Sequence, residues 1–396
     1  MQRGFWFYFL SLGFRPFFLL AGAYGSLSIL LWAAMYATGH APTSIWPDTV
    51  TWHAHEMLFG YTSAVIGGFL LTAVPNWTKA RPVKAWPLAL LVSIWLAGRL
   101  GMFWSGSYPF IAATADLLFL PAIAISLLPS VIRAQSYRNV VFFFILAFMS
   151  FCNLGIHLAM SGRTLNFTDT RTLLLLAVFL IGLMITIFGG RVVPMFTRNA
   201  LKLNAKQIEV KVPRIVEIMA ISSSAAALPA AALSYHHPLT CGMVLLVAGA
   251  SNLARMAFWS GHKTWTMPIV WILHAGYFWL SLGYLLVGLS LVRNEFISSL
   301  ALHVFTMGGI GTLTLAMMSR VSLGHTGRPL EVSSWITSAY IALQVGIIIR
   351  VGGGFIYPDA YLQTVMLAAL SWCYAFGVFT LVYIPILCRP RYDEKS

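Results

Sequence analysis

WHAHEMLFGYTSAVIGGFLLTAVPNWT, residues 52–78, is the stretch that decides the fold. It opens on His53, His55 and Glu56, then runs on without another charge for the roughly 20 residues that a bilayer crossing needs. Ionisable side chains in a spanning helix are costly, so they mark functional positions by default. The stretch therefore reads as a membrane helix with its chemistry gathered at one mouth.

The rest of the chain agrees. Hydrophobic residues make up 59% of the 396 and charged residues 9%, with a mean hydropathy of +0.80. Soluble domains carry about 25% charged residues. The whole chain, 1–396, reads as a single transmembrane domain of an all-α polytopic membrane protein in contact with the lipid bilayer. The formal net charge of +14 is the excess of Lys and Arg that crowds the cytoplasmic ends of spanning helices, and a nucleic-acid partner is not expected. The N-terminus has little positive charge before its apolar part and no small-residue cleavage site, so it is expected to be retained. Cys152, Cys241, Cys373 and Cys388 form no C-x-x-C pair and read as packing residues.

Apolar runs separated by Pro, Gly and polar clusters predict about twelve transmembrane helices, near 13–37, 52–74, 86–103, 108–131, 139–161, 170–194, 213–234, 238–258, 267–291, 298–321, 333–351 and 361–387. With the N- and C-termini cytoplasmic, all of the 25 Lys and Arg except Arg99, Arg163, Arg171, Arg293 and Arg350 fall on the inner side. The opposite orientation would invert that bias.

A weak repeat is also visible. His53 matches His303, Thr78 matches Thr326 and Arg99 matches Arg350 at a near-constant separation, and each pair falls on one side of the membrane. Pro75-Asn-Trp-Thr78-Lys79 is echoed by Pro194-Met-Phe-Thr197-Arg198. These matches suggest a three-fold repeat of four-helix units, 13–131, 139–258 and 267–387. Arg255-Met-Ala-Phe-Trp-Ser-Gly also resembles the stretch from Arg99 to Gly106, but on the opposite side, and reads as coincidence.

His53, His55, His157 and His303 all fall near the outer ends of predicted helices. Imidazoles at one depth on separate helices are the means of holding a transition metal or haem. His53 and Met57 are one turn apart on one face, about 6 Å along the axis, and imidazole with thioether suits copper. His55 points away from His53, about 200° round the helix, so the two are not expected to share an ion. Glu56 lies on the His53 side, placed to orient an imidazole or relay protons. A bis-His haem would pair His53 or His55 with His157 or His303, with its propionates near Arg99, Arg163, Arg171 or Arg350. Asp116 is intramembrane, with Arg99 its expected ion-pair partner. Asn153 and His157 are spaced to hydrogen-bond on one helix. The glycines of 189–190 and 308–311 read as close helix packing. No Walker A run, nucleophile elbow or H-E-x-x-H zinc motif is present.

Several segments together resemble the NnrS family: Gly13-Phe-Arg-Pro-Phe-Phe18, Trp52-His-Ala-His-Glu-Met-Leu-Phe-Gly60, Gly68-Phe-Leu-Leu-Thr-Ala-Val-Pro-Asn-Trp77, Gly190-Arg-Val-Val-Pro-Met-Phe-Thr197, Trp271-Ile-Leu-His-Ala-Gly-Tyr277 and the run from His303 to Pro329. The resemblance implies a polytopic protein of the bacterial inner membrane that contains haem and copper. It also implies protection against nitric oxide and nitrosative stress. His53, His55 and His303 stand in the family's motifs and carry over as site residues; His157 rests on its depth alone. The resemblance brings no catalytic reaction with it. Two other functions compete: a transporter of copper or another small solute, which twelve spans with internal repeats would suit, and a signalling or assembly component with the cofactor as sensor.

Overall fold

The computed structural model of the chain describes residues 4–42, 48–163, 169–203, 211–293 and 298–392. After a short helix α1, Phe5–Phe9, the described helices are α2 Phe14–Thr38, α3 Thr49–Thr78, α4 Trp86–Met102, α5 Pro109–Arg133, α6 Val140–Met160, α7 Thr170–Lys202, α8 Arg214–Leu233, α9 Pro238–Ala257, α10 Pro268–Arg293, α11 Ser299–His325, α12 Ser334–Ile356 and α13 Pro358–Leu387. Eleven of these are long and apolar enough to cross a bilayer, and α4 is a shorter apolar helix. The protein is therefore an all-α, multi-pass membrane protein; eleven of the twelve expected spans recur as helices of spanning length, α7 running on past the expected 194 to Lys202 and the others displaced at their ends by a few residues, while the expected span near 86–103 is the shorter α4.

Helix α4 is short, but its contacts fix its direction. Arg99, near its end, bonds Glu56, near the start of α3. The two helices are thus antiparallel, and α4 returns the chain to the level at which α3 began.

Local chemistry sets the ends and irregularities. Asp48 caps α3, its Oδ1 accepting from the Val50 and Thr51 amides at 2.9 Å. Among the described residues three π-helical turns interrupt the α-helices: Glu56–Thr62, Val304–Gly311 and Ile349–Gly353. Such turns loosen the ladder of backbone bonds, and side chains answer the carbonyls around them. Thr62 donates to the Met57 carbonyl at 2.7 Å, and the Trp95 indole reaches from α4 to the Gly60 carbonyl at 3.0 Å. In a bilayer no water can do this.

The chain divides into two compact units. One comprises Met1–Ala177, Met318–Leu330 and Phe376–Ser396, the other Val178–Met317 and Glu331–Ala375. Within the first, the end of α13 packs on α2 and α3: Phe379 lies against Gly22, and the Phe376 and Tyr61 rings meet at 5.2 Å. Arg15, buried, closes this end, one guanidinium nitrogen donating to the carbonyls of Leu387 and Arg389 at 2.8 and 2.7 Å. Cations at helix C-termini answer the last carbonyls and the dipole together. Within the second unit the glycines pack as expected. A Cβ on Gly242 would stand 2.7 Å from the Gly288 carbonyl, and Gly308 and Gly309 lie against Trp279 and Leu280. Small residues let membrane helices approach closely, since no hydrophobic force draws them together in lipid. All four cysteines are free.

Candidate metal centre

Helices α3 to α6 alternate in direction, so the start of α3, the end of α4, the first part of α5 and the end of α6 come to one level. His55, Glu56, Arg99, Asp116, Asn153 and His157 meet there, all buried: His55 and Glu56 are 0% exposed, Asp116 3% and His157 5%.

Asp116 is the hub. It pairs with Arg99 Nη2 through Oδ1. Its Oδ2 accepts from Asn153 Nδ2 at 2.7 Å and lies 3.1 Å from His157 Nε2 and 3.3 Å from His55 Nε2. Arg99 Nη1 donates to Glu56 Oε2 at 2.5 Å, and the half-buried Tyr24 hydroxyl bonds the same oxygen. Glu56 Oε1 accepts from His55 Nδ1 at 2.8 Å. The guanidinium also lies 5.9 Å from the Tyr24 ring and 6.0 Å from the Trp95 ring.

Proton counting exposes a demand for positive charge. Carboxylates only accept, so Asn153 must turn its amide nitrogen to Asp116, which leaves Oδ1 facing His55 Nε2 at 2.9 Å. His55 already donates through Nδ1. In the neutral ring Nε2 is a lone pair, and it would then face two further acceptors. Two carboxylates are also set against one guanidinium. A second proton on His55, or a metal ion, resolves both imbalances. One ligand atom from each of His55, Asp116 and His157 lies within 4.8 Å of the others.

The expected site residues are placed as follows. The Arg99–Asp116 ion pair forms. Asn153 and His157 both reach across to Asp116. His53 turns away from this cluster and stacks on Trp32 of α2, ring centroids 4.3 Å apart, while His55 turns inward, the divergence that a 200° separation requires. Met57 lies in the π turn, half-buried. His303 belongs to the second unit, its Nδ1 2.7 Å from the Ser299 carbonyl. Tyr24 and Trp95 were not anticipated; an aromatic in an apolar helix looks like core. Only Gly60 hints at them: a Cβ there would meet Arg99 Nη1 at 2.8 Å, Tyr24 at 2.9 Å and Glu56 Oε2 at 3.0 Å. Gly60→Ala should therefore force the Glu56–Arg99 pair apart. A loss of about 1–3 kcal/mol, typical of overpacking, should appear as a lowered melting temperature in detergent.

The family model described as NnrS protein matches residues 8–391 of the chain. The chain belongs to the NnrS family. Comparison with curated proteins finds no match. NnrS membership suggests metal or haem binding, and in this NnrS protein the buried His55–Asp116–His157 cluster is a set that can hold a metal.

The second unit of the NnrS chain contains a contrasting network. Arg255, fully buried, bonds Glu217 through Nε at 2.7 Å and again through Nη2, and its Nη1 donates to the Thr186 carbonyl at 2.6 Å and lies 3.1 Å from Tyr277 Oη. Tyr277 donates to Asn252 at 2.5 Å. Gly190 has no side chain because the guanidinium lies against it. Here every guanidinium nitrogen is satisfied, which makes this a structural clamp. Arg255 thus serves inside the unit, although the sequence counts it among the inner-side cations. His274 is similarly settled: Thr197 gives its proton to the Val193 carbonyl and accepts from His274 Nε2 at 2.8 Å.

Proposed function

We propose that this NnrS protein acts in the nitric oxide response by holding a redox-active metal ion, copper foremost, between His55, Asp116 and His157 beneath the outer surface of the bacterial inner membrane. The observation that carries the reading is the convergence of two imidazoles and a carboxylate in a buried cluster short of one positive charge. Two nitrogens and one oxygen suit Cu(II), which also tops the affinity order of the divalent first-row metals. The outer placement follows from the Lys and Arg bias of the loops.

A porphyrin does not fit the same cluster. Its plane would have to pass between two axial imidazoles, whereas the His55 and His157 rings stand 5.3 Å apart at 79° with the Asp116 carboxylate bonded between them.

When bound, copper would supply a redox-active Lewis acid able to take a diatomic ligand such as nitric oxide. The chain's own residues do the rest. Glu56 fixes the ring of His55 by accepting from Nδ1, and so aims Nε2 into the cluster. Asn153 and Arg99 hold the Asp116 carboxylate from two sides. Arg99 and Tyr24 hold Glu56 in place, both bonding its Oε2. Trp95 and Tyr24 cover the guanidinium and limit water.

Purified protein should contain non-haem metal, and His55→Ala or His157→Ala should lower its content by at least the order of tenfold that weaker perturbations of a metal site already cause. Nitric oxide should change the metal's optical or paramagnetic spectrum in the wild type and not in these variants. Metal content unchanged in both variants would remove this function. The second reading, a carrier of copper or another small solute, draws on the same buried ligands, because an ion in transit through a bilayer also needs them. Metal flux into liposomes that His157→Ala abolishes would favour it.

A further inference from the structure

Two buried arginines of this chain have opposite surroundings. Arg99 is 3% exposed and Arg350 5%, both on the side that the Lys and Arg bias marks as outer. Arg99 faces two carboxylates. Arg350 lies in the π turn Ile349–Gly353 of α12, and no carboxylate among the described residues pairs with it. Single π turns within α-helices concentrate at functional sites, and a buried cation in an apolar medium calls for an anion.

The donors at this spot are unspent. Arg350 Nη2 donates to Tyr361 Oη at 2.9 Å, and the guanidinium lies 5.1 Å from the Tyr361 ring. Nη1 is buried and has no hydrogen-bond partner among the described residues. Tyr361 accepts from the arginine, so its own O–H proton points elsewhere, and it meets no acceptor among the described residues. Leu300 and Gly354 flank Nη1 without a polar side chain: a Cβ on Gly354 would stand 3.7 Å from Nη1 and 3.0 Å from Leu300. A guanidinium edge and a phenol hydroxyl therefore converge with nothing to accept from them. The first unit shows the same pairing filled, where Arg99 Nη1 and the Tyr24 hydroxyl both bond Glu56 Oε2. At Arg350 the oxyanion has to come from outside the chain.

Charge and depth select its kind. One cation with no other ionic partner is matched by a monoanion. Arg350 stands six residues before the end of α12 at Ile356, about 9 Å along the axis, a depth from which a long basic side chain reaches the headgroups. Ile348, Phe355, Ile356 and Leu362 on the adjoining turns are exposed, so apolar surface borders the site. A monoanion attached to apolar tails at this level is a phospholipid phosphodiester. A headgroup ammonium would find no carboxylate beside Arg350, which favours headgroups of net negative charge.

We propose that Arg350 and Tyr361 form a binding site for the phosphate of an anionic phospholipid, independent of any metal at the His55–Asp116–His157 cluster.

The test uses the full chain, purified in detergent and stripped of lipid, with thermal unfolding and native mass spectrometry as readouts. Without lipid, Arg350→Gln should unfold at or above the wild-type temperature, since it removes an unpaired buried cation. Phosphatidylglycerol should raise the wild-type melting temperature, as a ligand of the folded state does, and phosphatidylethanolamine should raise it less. Arg350→Gln should weaken phosphatidylglycerol binding by on the order of tenfold or more, the scale of a charge-assisted hydrogen bond. Tyr361→Phe should weaken it by less, and Arg350→Lys should keep part of it. Arg163→Gln, at an exposed arginine assigned to the same side, should leave it unchanged, as should Glu295→Gln in a segment outside the described residues. No shift in the wild type, equal binding in Arg350→Gln, equal response to phosphatidylethanolamine, or tighter binding in Glu295→Gln overturns the proposal. So does an equal Arg350-dependent shift with inorganic phosphate alone, which would make the ligand a free oxyanion, and so does loss of haem in place of phospholipid from Arg350→Gln.

Discussion

Arg99→Met should be the most damaging single substitution in the first unit. It leaves Glu56 and Asp116, both buried, as two uncompensated carboxylates at membrane depth. Breaking a buried pair by removing one partner costs about 3–5 kcal/mol, and here one cation serves two anions. Thermal unfolding in detergent, or the yield of monodisperse protein, should show the loss. Adding Glu56→Gln and Asp116→Asn to Arg99→Met should restore much of the stability, because neutral replacements of a buried charge set are often tolerated. Metal should not return with it. Arg255→Met in the second unit should be milder, since the Glu217 side chain it abandons is 34% exposed and can be hydrated. An Arg99→Met protein that unfolds at the wild-type temperature would mean that the two carboxylates do not depend on this guanidinium.

Asp116→Asn should separate metal binding from the rest of the fold. The substitution keeps volume and removes one negative charge. Arg99 retains Glu56, so the cluster stays close to neutral, and the demand for a second proton or an ion at His55 disappears. His55, Asn153 and His157 all lose the oxygen toward which they point. Metal content should fall by 10–100-fold or more, on the order seen when a group supporting a metal site is lost, with a smaller change in melting temperature than Arg99→Met produces. Metal analysis of the purified variant measures it directly. Full metal occupancy in Asp116→Asn would show that the ion lies elsewhere.

Part of this site was legible in the sequence. The charge of Asp116 inside an apolar run, and Arg99 at matching depth on the neighbouring helix, were enough to pair them. The opposite facing of His53 and His55 followed from helical geometry. The partner of His157 was not legible. Asn153, one turn away, offered a local bond, whereas Asp116 presents a charged acceptor from another helix. Tyr24 was missed because an aromatic residue in a lipid-spanning helix carries no mark that it will bond a carboxylate. The two-against-one charge balance was also out of reach, since it depends on which four helix ends share a level.

The all-α, multi-pass character of the chain and the approximate extents of its apolar helices were determined by the sequence alone, because hydrophobic length acts locally. Membership of the NnrS family was equally readable from its motifs. Which helix faces meet was decided only by tertiary packing: small residues set how closely helices approach, and the π turn after His55 departs from the regular α-helical period. That packing directed His55 to Asp116 and His53 to Trp32, and gave Arg99 two carboxylates while leaving Arg350 with none among the described residues.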